Sequence, residues 1–125
     1  MRIAAIAFVS FALLASCGPS LQSTCEDFAT AWCDQHYNCS TGDTLANLQA
    51  QYGQTAAECA STYANNVARC ESNATIIPCG VGTSYDSSAA DACAKTYGAQ
   101  SCTVTTDPNF TLSQLPGCAD TDICH

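Results

Sequence analysis

The stretch "CEDFATAWCDQHYNC", residues 25–39, decides the fold of this chain. Cys25, Phe28, Ala29, Trp32, Cys33, His36 and Tyr37 recur at i, i+3, i+4 and i+7 intervals, which puts them on one face of a helix. Just upstream, Ser23 and Glu26 have the spacing of a capping box and mark the expected start. At about 1.5 Å of rise per residue, Cys25 and Cys33 would stand about 12 Å apart along this helix. A disulfide tolerates at most ~7 Å between Cα atoms. The two cannot pair with each other, so each must reach another element.

The same reasoning extends outward. A second helix is expected over about 45–52, with Leu45, Leu48 and Tyr52 on one side, Thr44 at its start and Gly53 at its stop. A third opens with the capping box Thr55 and Glu58, and its stripe is Ala56, Cys59, Ala60, Tyr63, Val67 and Cys70. A fourth runs over about 88–97, where Ser88 and Asp91 have capping-box spacing and Cys93, Ala94 and Tyr97 share a face. Cys59 and Cys70 would be separated by about 16 Å of rise, so they too must pair elsewhere. If the first and third helices are antiparallel, the expected links are Cys25 to Cys70 and Cys33 to Cys59. "CASTYA" at 59–64 and "CAKTYG" at 93–98 each put a sulfur and a ring one turn apart, which reads as one packing solution used twice. Residues 71–85, with Pro78, Gly80 and Gly82, and residues 103–125, with Pro108, Pro116 and Gly117, read as loops. The fold class is all-α: a small disulfide-stapled helical domain of three to four short helices with long loops.

Composition explains the need for staples. The chain has 125 residues and 11 cysteines, while large apolar side chains are sparse and alanine fills many positions. A core this thin in a chain this small needs crosslinks, each of which is worth typically about 2–4 kcal/mol. The 11 carboxylates greatly outnumber the 3 Lys and Arg. Nucleic acid and anionic lipid headgroups are therefore poor partners.

The opening segment assigns a compartment. Met1 and Arg2 precede an apolar run of roughly 13 residues, the proportions of a secretory signal rather than of a membrane span of about 20. Leu14-Ala15-Ser16-Cys17, at the end of that run, resembles the lipobox of bacterial lipoproteins, in which cleavage precedes a cysteine that carries the lipid. The resemblance implies a signal peptide over 1–16, lipidation at Cys17, a tether over 17–23 and a cysteine-rich domain over 24–125. Gly18, standing where an aspartate would retain the protein at the inner membrane, implies outer-membrane sorting. Lipidation would also resolve parity. Eleven cysteines cannot all pair, but Cys25, Cys33, Cys39, Cys59, Cys70, Cys79, Cys93, Cys102, Cys118 and Cys124 can close as five disulfides.

"CEDFATAWCDQHYNC", "YGQTAAEC", "DACAKTYGAQSC" and "LPGC" together resemble the small cysteine-rich predicted lipoproteins of myxobacteria and relatives. That resemblance covers about residues 25–118 and implies an exported helical disulfide domain; it brings no catalytic residues. Cys79 and Cys124 form a candidate further pair beyond that frame.

Residues that could carry chemistry are few. "WCDQHYNC" resembles part of the phospholipase A2 active-site helix at Cys33, His36 and Cys39, which implies a histidine that activates water beside a calcium-binding aspartate. Here Tyr37 stands where that aspartate would be, and no glycine-rich calcium loop precedes the helix. Neighbouring cysteines are never closer than C-x5-C, unlike the close pairs of zinc sites. Asp120 and Asp122 offer two carboxylates without the remaining oxygen ligands of a calcium loop. His125 ends the chain, where ordering is expected to be poor, and Lys95 has no neighbour that would depress its pKa. Asn38, Asn73 and Asn109 stand in glycosylation sequons. The expectation is therefore an envelope-anchored lipoprotein acting as a structural or protein-interaction module, with no catalysis, cofactor or metal. Its contacts would be the membrane, through an N-terminal lipid, and an unidentified protein partner. The alternatives are a secreted disulfide-rich effector or enzyme inhibitor presenting loop 71–85 and, more remotely, a phospholipase A2-like lipid hydrolase.

Overall fold

The computed structural model describes residues 18–72, 77 and 79–125, and six helices are found there. α1 (Leu21–Cys39) is the longest, followed by α2 (Gly42–Tyr52), α3 (Ala56–Thr62), α4 (Ser87–Gly98), α5 (Cys102–Thr105) and α6 (Asp120–Ile123). Among the described residues no strand forms; the β-type contact is an isolated antiparallel bridge between Tyr85 and Cys124. The four helices expected from periodicity correspond to α1–α4. The segment read as a loop over 103–125 contains most of α5, the whole of α6 and a 3-10 turn at Leu112–Gln114. Four-residue helices are too short to leave a periodic signature.

Two of the expected helix starts move. Ser20, not Ser23, caps α1: its Oγ accepts from the Ser23 N–H at 3.0 Å. Residues 21–23 of the expected tether are therefore helical, and Glu26 instead accepts from the Gln22 side chain at 2.8 Å. Likewise Asp86, not Ser88, caps α4, accepting from the N–H groups of Ser88 and Ala89 at 2.8 and 3.0 Å. In both cases a better-placed acceptor upstream takes the orphan donors of the first turn. The Thr55–Glu58 capping box forms as expected.

α1 lies between its two main neighbours. α3 and the turns after it run antiparallel to it, since Cys25 joins Cys70 and Cys33 joins Cys59, the pairs expected. α4 runs parallel to it, because Thr24 near the start of α1 meets the Ser87 carbonyl at 3.4 Å and Gln35 near its end meets the Gly98 carbonyl at 2.6 Å. The α1–α4 seam is lined by small residues: a Cβ at Gly98 would sit 3.4 Å from that of Ala31, and Ala94 is buried. Three further disulfides, Cys39–Cys102, Cys79–Cys124 and Cys93–Cys118, complete the set.

The Cys-x3-Tyr pattern does the same work twice. In α3, Cys59 is bonded to α1, and Tyr63 in the following turn stacks on Trp32 at 4.7 Å. In α4, Cys93 is bonded to Cys118 and Tyr97 stacks on Phe28 at 5.6 Å. After Thr62 the helix widens into a π turn (Tyr63–Val67), closed by the Ala68 N–H on the Tyr63 carbonyl at 2.9 Å. The extra residue in that turn shifts the register, so Val67, expected on the buried stripe, is 52% exposed while Ala64 is buried. Arg69 then ends the helical run with φ +52°.

Three stability effects follow. Gly53 has φ +117° and a Cβ there would lie 2.6 Å from that of Glu58, so Gly53→Ala lowers stability by about 1–3 kcal/mol. Arg69→Gly, which relieves a left-handed non-glycine residue, raises it by roughly 0.5–1 kcal/mol. Removing the buried Cys33–Cys59 pair by alanine at both positions costs about 2–4 kcal/mol. Urea unfolding followed by circular dichroism measures all three, and equal shifts of one sign would contradict this assignment.

Candidate functional site

A concavity lies along the α1–α4 seam, where small residues leave room above the closely packed backbones. It is a groove of about 340 Å³ lined by Asp27, Thr30, Ala31, Asp34, Asp91, Ala94, Lys95 and Gly98. Helical spacing brings its charges together: Asp27 and Asp34 are two turns apart on α1, while Asp91 and Lys95 are one turn apart on α4. Lys95 Nζ donates to Asp91 Oδ2 at 2.7 Å, which raises the lysine above its ordinary value. Asp27 is also raised, chiefly by burial and then by the Asp91 charge, with Lys95 opposing. The Asp91 carboxylate across the groove adds a like charge beside Asp27, which favours the protonated form of Asp27. Among the described residues no group of three or more His, Cys, Asp or Glu is arranged to hold a metal ion.

His36 is stacked on Trp32, with ring centroids 3.9 Å apart. Its Nδ1 lies 2.9 Å from the Trp32 carbonyl oxygen. A carbonyl can only accept, so Nδ1 carries a hydrogen and, in the neutral ring, Nε2 is the bare nitrogen. The other residues matched to the phospholipase pattern, Cys33 and Cys39, are both disulfide-bonded. Tyr37, at the position of that family's aspartate, places its hydroxyl 2.6 Å from the Gly53 carbonyl oxygen and so ties α1 to the end of α2.

The remaining sequence-derived residues are spread apart. Asp120 and Asp122 lie in α6, where the Asp122 carboxylate accepts from the Ala119 N–H at 3.3 Å. His125, expected to be poorly ordered, is held by backbone pairing with Ser84 and lies 3.9 Å from Asp86 Oδ2. That pairing and the Cys79–Cys124 disulfide pin the base of a turn at residues 80–83, in which the Gly80 carbonyl accepts from the Thr83 N–H at 3.2 Å. Val81, at its tip, is fully exposed at 109%. Asn38 and Asn109 are exposed, whereas Asn73 and the lipidation candidate Cys17 lie outside the described residues.

Gln35 was not anticipated as a site residue. It is only 7% exposed, and its Nε2 donates to the Gly98 and Gln100 carbonyls at 2.6 and 2.9 Å, capping the end of α4 from α1. The signal in sequence was a glutamine beside the cysteine stripe, but nothing there names its partner carbonyls. Tyr97, between Phe28 and Phe110 in the same interior, has its phenol pushed up to about 12, chiefly by burial and then by Tyr63.

Comparison with protein-family models, characterised proteins and solved structures finds no match to this chain.

The raised Asp27 carboxyl sets a pH dependence. The folded state holds the Asp27 proton to higher pH than the unfolded chain, whose value is about 3.8. Its contribution is therefore fully present below that value and is lost as pH rises through the folded one. Thermal melts between about pH 4 and pH 7 should show Asp27→Asn more stable than the parent at neutral pH, with that advantage shrinking in acid. An advantage that grew in acid would refute the upward shift of Asp27.

Proposed function

We propose that the chain is an envelope-anchored bacterial lipoprotein in which Cys17 carries the lipid and the helical domain acts as a structural or protein-interaction module without catalysis. The observation that carries the reading is that the five disulfides consume all ten other cysteines. The eleventh stands at the end of an apolar leader in a lipobox-like string, where lipid attachment would account for it.

The architecture suits that role. α1 begins at Leu21, only four positions after Cys17, so a lipid there would hold the domain close to the bilayer. The 19 residues of α1 then extend about 28 Å. Ser20, Ser87 and the start of α4 mark the end near the anchor, and Cys39, Gly98 and Cys102 the far end. The excess of carboxylates favours a domain that stands off anionic headgroups rather than one that lies on them. Gly18 favours the outer membrane.

The pinned turn that exposes Val81 favours one further reading, a secreted effector that presents this loop to a partner, since a pre-ordered loop binds at low entropic cost. Labelling cells with a radioactive fatty acid separates the two. The chain should take up label and fractionate with membranes, and Cys17→Ser should abolish both. Unlabelled protein recovered intact from culture fluid would overturn the lipoprotein reading and leave the effector.

A further inference from the structure

The five disulfides are not equivalent. Cys25, Cys70, Cys33, Cys59, Cys93 and Cys118 are each no more than 2% exposed. Cys79 and Cys124 are half-buried, and Cys124 is additionally bridged to Tyr85 through the backbone. In Cys39–Cys102, by contrast, Cys39 is half-buried and Cys102 is exposed.

Two side-chain oxygens stand close to Cys39 Sγ, one from Gln35 and one from Thr105. Gln35 is fixed in orientation: two carbonyl oxygens, which can only accept, face its Nε2, so Oε1 points the other way. That oxygen lies 3.5 Å from Cys39 Sγ. A disulfide sulfur has no hydrogen to give, whereas a Cys39 thiol at this distance would be placed to donate to Oε1. Thr105 Oγ1 stands 3.8 Å from the same sulfur, placed to donate to a thiolate. Cys39, His36, Thr105 and Thr106 line a cavity of about 170 Å³ beside the pair.

We propose that Cys39–Cys102 is a thiol-exchange site and that Cys102 is its modified residue, taking a small-molecule thiol as a mixed disulfide. The thiolate of the incoming thiol attacks the exposed Cys102 Sγ, forming the new S–S bond and breaking that to Cys39. The electron pair of the broken bond leaves on Cys39 as a thiolate, which accepts from Thr105, takes a proton from solvent and donates it to Gln35 Oε1. The incoming sulfur is oxidised and Cys39 is reduced; a second equivalent of thiol releases Cys102 as a thiolate and departs as the symmetrical disulfide. The four other pairs keep α1 joined to the α3 segment and α4 joined to the C-terminal segment, while the packing of α1 on α4 holds the two halves together. The site stands at the far end of α1 from residue 18 and does not depend on the lipid.

The test uses the full oxidised chain and reduced glutathione under native conditions, with iodoacetamide quenching and peptide mapping over time. Cys102 should become glutathionylated and Cys39 alkylated at least about tenfold faster than any other cysteine reacts, with the helical circular dichroism unchanged. Thr105→Val should slow the step without altering the melt, and Cys39→Ser/Cys102→Ser should fold and take no adduct over the same interval. A first adduct on Cys79, Cys124 or Cys39, simultaneous opening of all five pairs, or an undiminished rate in Thr105→Val would overturn the assignment.

Discussion

Everything in this domain depends on sulfur bonds occupying the interior that large apolar side chains fill elsewhere. Its largest fully buried side chains are Ile123 and six half-cystines, Cys25, Cys33, Cys59, Cys70, Cys93 and Cys118. Burial of a leucine or phenylalanine contributes about 1.5–3 kcal/mol, and few such residues are present. Alanine faces let the helices approach closely but bury little area. The crosslinks act instead on the unfolded chain, whose freedom they reduce, so that weakly attractive surfaces suffice to hold one arrangement.

α1 is where these constraints meet. Three of its positions are half-cystines, and two others, Phe28 and Trp32, receive the tyrosines that follow the cysteines of α4 and α3. From α3 a covalent and an aromatic contact thus arrive together, one turn apart, while from α4 the ring alone reaches α1 and the sulfur turns away to Cys118. The buried polar groups serve the same hub. Thr24 and Gln35 reach the first and last turns of α4, fixing its register on α1, and the groove lined by Asp27 and Asp91 lies along the same seam.

Much of this was legible in the sequence because cysteine spacing and helical rise together forbid local pairing. The stripe on 25–39 and the capping box at Thr55 gave the first and third helices, and an antiparallel arrangement of the two, taken as a condition, gave both links between them. What could not be read there was competition. A serine and a glutamate three apart satisfy a capping box on paper, yet Ser20 supplies the acceptor that Ser23 would have supplied, and Asp86 displaces Ser88 in the same way. The π turn after Thr62 and the four-residue α5 and α6 are too short to leave a periodic signature. Of the groove, Asp27, Asp34, Asp91 and Lys95 were visible as helix residues, but their convergence needed the parallel packing of α1 and α4. Gln35 escaped notice because its partners are main-chain carbonyls more than sixty positions away.

The pattern of the five bonds bears on how the protein is made. In chain order, no cysteine is joined to the next one: 33–59 is nested within 25–70, 93–118 within 79–124, and 39–102 crosses from one nest to the other. Oxidation of neighbouring thiols as they emerge during synthesis would therefore yield only incorrect bridges. Any bridge formed between successive thiols would have to be reshuffled, by attack of a thiolate on its sulfur, before the native connectivity could form.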